Sequence, residues 1–392
     1  MLRDLSFQAI FNGILAAFVG AASSFAIILS GLVAVGATEA QAATGLMLSF
    51  ITMGLAGIVA GAVGRIPIGV AWSTPGAALL GASAVPAAGF PAVLGAFVVC
   101  AGLIIASGLI RPFGRLVENI PKHLAAALIA GVLIQLCFAP FNGLAQAPLA
   151  VGAIVLTWVV VFVVSPRWAV PVALIVFLIV LMTLVDREPV PQDLALFARW
   201  DWMWPHFDVP TSIGLGVPLF IVTMAGQNIP GVAVMRTNNY QIKAGPWFTL
   251  TGIFSAIGAP FGGVAVNLAA ITAAMMASEQ SHADPAKRYW ASISAGVVYV
   301  IFGIFTGAIV VVVSLAPLYL IQAVAGLALI PAFVAGVATA FETPQRRMSA
   351  AVTFLFGASG MALLGISGAF WGLIVGLGID GLQRAMTRRR KS

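Results

Sequence analysis

The chain has 392 residues, of which 61% are hydrophobic and only 8% charged, and its mean hydropathy is +1.08. A soluble domain carries about a quarter charged residues, so this inventory cannot cover a water-facing surface. A formal charge of +7 and a pI near 10.0 would suit nucleic acid in a soluble protein, but no stretch interleaves basic with aromatic residues, and excess Lys/Arg fits short cytoplasmic loops instead.

Fourteen hydrophobic segments are predicted, at 9–34, 41–63, 66–83, 89–110, 120–140, 148–165, 168–185, 211–235, 244–259, 260–278, 288–313, 317–340, 348–366 and 368–384. Each is long enough for one crossing of a bilayer core about 30 Å thick. The first shows no small-residue cleavage pattern and is read as a retained helix rather than a signal peptide. Threading the segments with the N-terminus inside puts seventeen of the nineteen Lys and Arg residues on the cytoplasmic side, leaving Arg187 and Arg199 outside. Acidic residues divide evenly, as the positive-inside rule allows. Both termini are therefore expected in the cytoplasm of a multi-pass inner-membrane protein, with a basic tail at 386–392.

The external stretch 186–210 carries Trp200, Trp202 and Trp204, suited to a headgroup-level belt. It separates a first set of seven segments (1–185) from a second (211–385). Seven is odd, so the second set enters the membrane from the opposite face, and related halves form an inverted repeat.

The third and tenth segments are not ordinary spans. Pro67-Ile-Gly69-Val-Ala-Trp72-Ser73-Thr74-Pro75-Gly76 and Gly258-Ala-Pro260-Phe261-Gly262-Gly263-Val-Ala-Val266-Asn267-Leu268 each place Pro and Gly before a helix-forming run. Each reads as an extended piece followed by a half-helix, with Thr74 and Asn267 as the N-caps. Six extended residues from Pro67 to Trp72 span roughly 20 Å, which places both caps near the midplane. Broken segments at matching positions in the two halves point to a transporter's binding site, and two opposed helix N-termini suit an anion. In the eighth segment Gln227 and Asn228 precede Pro230, which deletes the backbone bond to the Gly226 carbonyl. Ser23 and Ser24 occupy the corresponding region of the first. The candidate substrate-binding residues are Ser23, Ser24, Trp72, Ser73, Thr74, Gln227, Asn228, Phe261, Gly263 and Asn267, with Trp72 and Phe261 available to stack on a ring.

At Ala71–Gly76, Gln227–Gly231, Ala259–Gly263 and Asn267 through Ala274, and at His282-Ala-Asp284-Pro-Ala-Lys-Arg288-Tyr289, the sequence resembles the benzoate transporter (BenE) family over nearly its whole length. That family is similar in fold to the nucleobase, sulfate and bicarbonate transporters. The resemblance implies a seven-plus-seven inverted repeat divided into core and gate domains, an elevator-like movement of the core, and proton symport. The nucleobase members hold substrate with carboxylates in the eighth and tenth segments, where this chain offers Gln227, Asn228 and Asn267. Amides suit an aromatic carboxylate such as benzoate.

Other readings remain open on the residues alone. The same caps could serve helices only, amides commonly bridge membrane helices, and broken helices could line a channel or carry another small anion or a nucleobase-like solute. An enzyme would need a nucleophile with its base, or a metal cluster. Cys100 and Cys137 lie in apolar runs, and His123, His206 and His282 fall near segment ends, so no catalytic residue, metal or cofactor is expected. The expected partners are a small aromatic carboxylate, a proton and membrane lipid, with a homodimer as one option.

Overall fold

The computed structural model describes residues 5–22, 24–118, 121–184, 200–279, 281–363 and 366–389. The first segment is a helix pair, α1 (Phe7–Ala22) and α2 (Phe25–Ala34), interrupted around Ser24. α3 (Glu39–Gly64) follows behind a capping box in which Thr38 and Gln41 satisfy each other's backbone amides. The third segment is a short strand, β1 (Val70–Trp72), and a half-helix, α4 (Thr74–Gly81). α5 (Phe90–Leu109), the short α6 (Arg111–Glu118), α7 (Lys122–Cys137) with α8 (Ala139–Gln146), α9 (Pro148–Val164) and α10 (Pro166–Thr183) complete the first half.

The eighth segment starts at α11 (Val209–Thr211) and alternates π-helical turns, Ser212–Gly216 and Met224–Asn228, with α12 (Val217–Thr223) and α13 (Ile229–Thr237). Pro218 and Pro230 each follow such a turn, where the missing N–H opens the helical ladder. Then come α14 (Ala244–Gly258), strand β2 (Val266–Leu268) with half-helix α15 (Ala270–Ala277), α16 (Tyr289–Ile304) broken from α17 (Thr306–Ser314), α18 (Leu318–Phe341) and α19 (Arg347–Ala358). A small hairpin, β3 (Ala362–Leu363) with β4 (Ile366–Ser367), leads into α20 (Gly368–Arg389). Among the described residues, six helical stretches are long and apolar enough to cross a membrane by themselves: 7–34, 39–64, 90–109, 122–146, 209–236 and 318–341.

Helix packing follows a seven-segment shift. α3 packs on α16 and α5 on α14, the second and eleventh segments against the fourth and ninth, pairs that a shift of seven exchanges. The same operation exchanges α9–α10 with α19–α20 and α2–α4 with α13–α15, and it maps α7–α18 and β1–β2 onto themselves. Small residues permit the closest approach: a Cβ at Gly54 would lie 2.6 Å from the Gly296 carbonyl, and one at Gly296 would lie 2.5 Å from that of Gly54. Without a hydrophobic drive in lipid, such backbone contact supplies the dispersion energy that joins helices. A separate apolar cluster unites α9, α10 and α18 around Trp158, Phe177 and Leu320.

The connecting stretch 186–210 is described only from Trp200 onward. There Met203 donates its amide to the Pro260 carbonyl and His206 to that of Pro91, both at 2.9 Å.

Candidate functional site

The two broken segments cross at the centre of the bundle. β1 and β2 run antiparallel with Val70 opposite Leu268, Ala71 opposite Asn267 and Trp72 opposite Val266. The two strands enter the crossing from opposite ends, so α4 and α15 leave it in opposite directions. Gly69 makes the approach possible, since a Cβ there would meet the Ala273 amide at 2.5 Å and the Ala269 carbonyl at 2.7 Å.

Extended backbone at this depth must find partners within the protein. The ladder supplies some, and side chains of four neighbouring segments supply the rest. Val264 donates to Ser49 Oγ (3.0 Å), Val266 to Ser255 Oγ (2.8 Å) and Leu268 to Asn228 Oδ1 (2.8 Å), while Ser292 Oγ donates to the Ile68 carbonyl at 2.7 Å. Ser49, Ser255 and Ser292 each have other hydroxyl residues nearby on the same helix (Thr44 and Thr52, Thr249 and Thr251, Ser294), so nothing in the sequence singles them out.

The caps differ from expectation. Ser73, not Thr74, caps α4, accepting from the Gly76 amide while its hydroxyl pairs with Thr223 Oγ1 at 2.7 Å. Thr74 is already the first helical residue. Asn267 does not cap α15 either; it belongs to β2, and the N-cap is Ala269, which has no side-chain acceptor. Strand pairing carries the chain two residues further than the sequence suggests before the helix starts. As a result the first-turn amides of α15 have no capping side chain, while α4 is closed.

A cavity of about 80 Å³ lies between these elements, lined by Ser24, Trp72, Thr74, Gln227, Thr272 and Tyr299 with Gly20, Met53, Ala71, Ala269 and Ile271. Among the described residues, no charged side chain lines it. Trp72 donates through Nε1 to Ser24 Oγ at 2.8 Å, Ser24 donates on to the Gly20 carbonyl, and the Trp72 ring packs edge-on against Phe50 with centroids 4.5 Å apart. Asn267 is fully buried, and neither its Oδ1 nor its Nδ2 has a hydrogen-bond partner. Directly opposed residues share a sheet face, so Asn267 projects with Ala71 and Ala269, both cavity-lining.

The candidates therefore separate. Ser24, Trp72, Thr74 and Gln227 converge on the cavity, whereas Asn267 is not one of its lining residues and lies fully buried on β2, opposite the lining residue Ala71. Asn228 is spent on the Leu268 amide and on Met224 Sδ, and Ser73 on its cap. Phe261 stands edge-on to the Trp200 and Trp202 rings, at the turn that Gly263 closes by donating to the Gly258 carbonyl, and does not line the cavity. Ser23 lies outside the described residues. Tyr299, Thr272 and Gly20 were missed; Tyr299 is buried in the eleventh segment, and aromatic residues in apolar helices are too common to single out by sequence.

The geometry can be set beside known proteins. Residues 3–382 match the family model described as benzoate membrane transport protein. The chain is 36% identical over 365 residues to inner membrane protein YdcO of Escherichia coli, covering 93% of both chains. It is 32% identical over 380 residues to the benzoate membrane transport protein of Acinetobacter baylyi, covering 96% of this chain and 95% of the relative. Among solved structures, the transmembrane domain of the cyanobacterium bicarbonate transporter BicA aligns with a TM-score of 0.64 at 16% identity, covering 96% of this chain and 98% of that one. The murine Solute Carrier 26 family member A9 anion transporter, in the inward-facing state, aligns with a TM-score of 0.61 at 13% identity, covering 96% and 68%. The fold is thus the helical inverted-repeat fold of these transporters. With the family model spanning nearly all of it, the chain belongs to the benzoate membrane transport (BenE) family and is a membrane transporter, not an enzyme.

Proposed function

We propose that the protein is a proton-coupled symporter of benzoate or a similar aromatic carboxylate in the inner membrane. The observation that carries the reading is the uncapped N-terminus of α15 beside the unpartnered, fully buried Asn267. A buried amide without a partner costs about 1–3 kcal/mol; a carboxylate placed there would accept from Nδ2, and the carboxylic acid form could also donate to Oδ1. The same carboxylate would gain from the α15 dipole. Trp72 and Tyr299 offer apolar faces to a ring, and the benzoate transport protein of Acinetobacter baylyi is a relative over nearly the full length.

The cavity is smaller than the roughly 150 Å³ that encloses benzene. A bound ring would therefore be covered only in part by the first to fourth and eighth to eleventh segments, taken as the core. The remaining helices, taken as the gate, would complete the enclosure, which fits a core that slides past the gate. The halves 1–185 and 211–385 are the repeats in this reading, with both termini cytoplasmic.

Uptake of radiolabelled benzoate into proteoliposomes, with pH and sodium gradients imposed separately, tests it. Saturable accumulation driven by an inward proton gradient is expected. Accumulation driven only by sodium would replace the coupling ion, and absence of saturable uptake would reject the substrate.

A further inference from the structure

A second cavity, about 500 Å³ in volume, lies at the far end of α4 from the crossing, the outer side in the topology proposed above. One wall is the end of α4 and the chain after it, with Leu79 and Ser83; another is the start of the eighth segment, with Asp208 and Thr211; the third comes from α7 and α19, with Val132 and Phe356. It thus spans core and gate helices. Leu79 lies five residues beyond Thr74, about 7.5 Å along the helix axis, so the floor of this chamber is less than two helical turns above the site. A solute reaching the site from outside along the seam passes through it.

Among the described lining residues Asp208 is the single charged side chain, the rest being largely Ala, Gly and Pro. Its carboxylate is held in place by the Thr211 amide at 2.9 Å and by the Thr211 hydroxyl. Those bonds keep its carboxyl below the ordinary range, so it is ionised at neutral pH. His206 is the titratable neighbour it faces.

We propose that Asp208 is a charge filter at the outer mouth, setting the specificity of the transporter for monocarboxylates over dicarboxylates and other polyanions; this rests on the aromatic-carboxylate reading of the site. A fixed negative charge in a chamber without a described compensating cation acts once on a monoanion and twice on a dianion. The neutral acid passes without penalty. At a separation near 8 Å, each substrate charge corresponds to between about two-fold and thirty-fold in occupancy for effective dielectrics of 80 to 20.

Asp208 also caps α11. Asn caps a helix as well as Asp does, so Asp208→Asn removes the charge and keeps the cap. Uptake of radiolabelled benzoate into intact cells, at fixed pH and low salt, is competed with unlabelled benzoate or benzene-1,4-dicarboxylate. Asp208→Asn should lower the inhibition constant of the dicarboxylate relative to that of benzoate by between about two-fold and thirty-fold. Asp208→Glu and His206→Gln should keep the wild-type ratio. Raising salt should move the wild-type ratio toward that of Asp208→Asn by screening the charge, an arm that needs no variant to fold. A ratio that neither Asp208→Asn nor salt changes overturns the filter. Absence of saturable benzoate uptake by the wild type rejects the reading of the site instead.

Discussion

Asn228 Oδ1 accepts the Leu268 amide hydrogen at 2.8 Å, tying the π-helical turn of the eighth segment to the strand of the tenth. Both groups are fully buried, so the bond holds the crossing in register. Asn228→Ala leaves a backbone N–H without a partner and should cost about 1–3 kcal/mol. A lowered melting temperature in detergent checks it; an unshifted melting curve would mean that another group or water replaces the amide.

Asn267→Ala and Gln227→Ala should behave in the opposite way. The Asn267 side chain makes no hydrogen bond among the described residues, so truncating it breaks none. Each change should weaken benzoate binding by about 1–2 kcal/mol, the scale of one hydrogen bond to a charged group. Calorimetric titration beside thermal melting separates the effects. Wild-type affinity in both variants would take these residues out of the site.

Ser73→Ala should destabilise by about 0.5–2 kcal/mol, the range for a lost N-cap, and it also strips the buried Thr223 hydroxyl of its partner. Thr74→Ala should leave the melting temperature nearly unchanged, because Thr74 already lies inside α4. Equal destabilisation by the two would contradict the cap assignment.

Proton coupling should not depend on an acidic side chain at the crossing, because among the described residues no Asp or Glu lines the site. An aromatic carboxylic acid has a pKa near the ~4.3 of Glu, and a dry site raises it by penalising the charged form. The substrate itself can then carry the proton, accepted by amides that serve either form. Glu39→Gln, Glu342→Gln and Asp380→Asn, measured one by one in pH-driven uptake, check this. Loss of coupling with binding intact in any of them would identify that residue as the carrier.

A reporter fused after Ser392 should be cytoplasmic, and one inserted near Gln192 external. A cytoplasmic signal at Gln192 would break the odd count of seven on which the inverted repeat depends.

The Asp380 ion pair shows how far local reading reaches. Asp380 and Arg384 are one helical turn apart, and their pairing, at 2.7 Å, could be read from spacing alone. That His123 of α7 and Arg346 before α19 also close on the same carboxylate could not, because nothing local links positions more than thirty residues apart.

The same division holds for the whole protein. Hydropathy, charge asymmetry and the Pro/Gly clusters determined the segments, the two broken spans and the family resemblance, since the bilayer imposes crossing length and backbone satisfaction on each segment separately. Where the half-helices begin, which amide is a strut and which lacks a partner, and that Phe261 faces Trp200 and Trp202, were decided only in the tertiary structure. Those outcomes depend on the pairing of β1 with β2 across nearly two hundred residues, and strand register is a property of the pair that neither segment encodes alone.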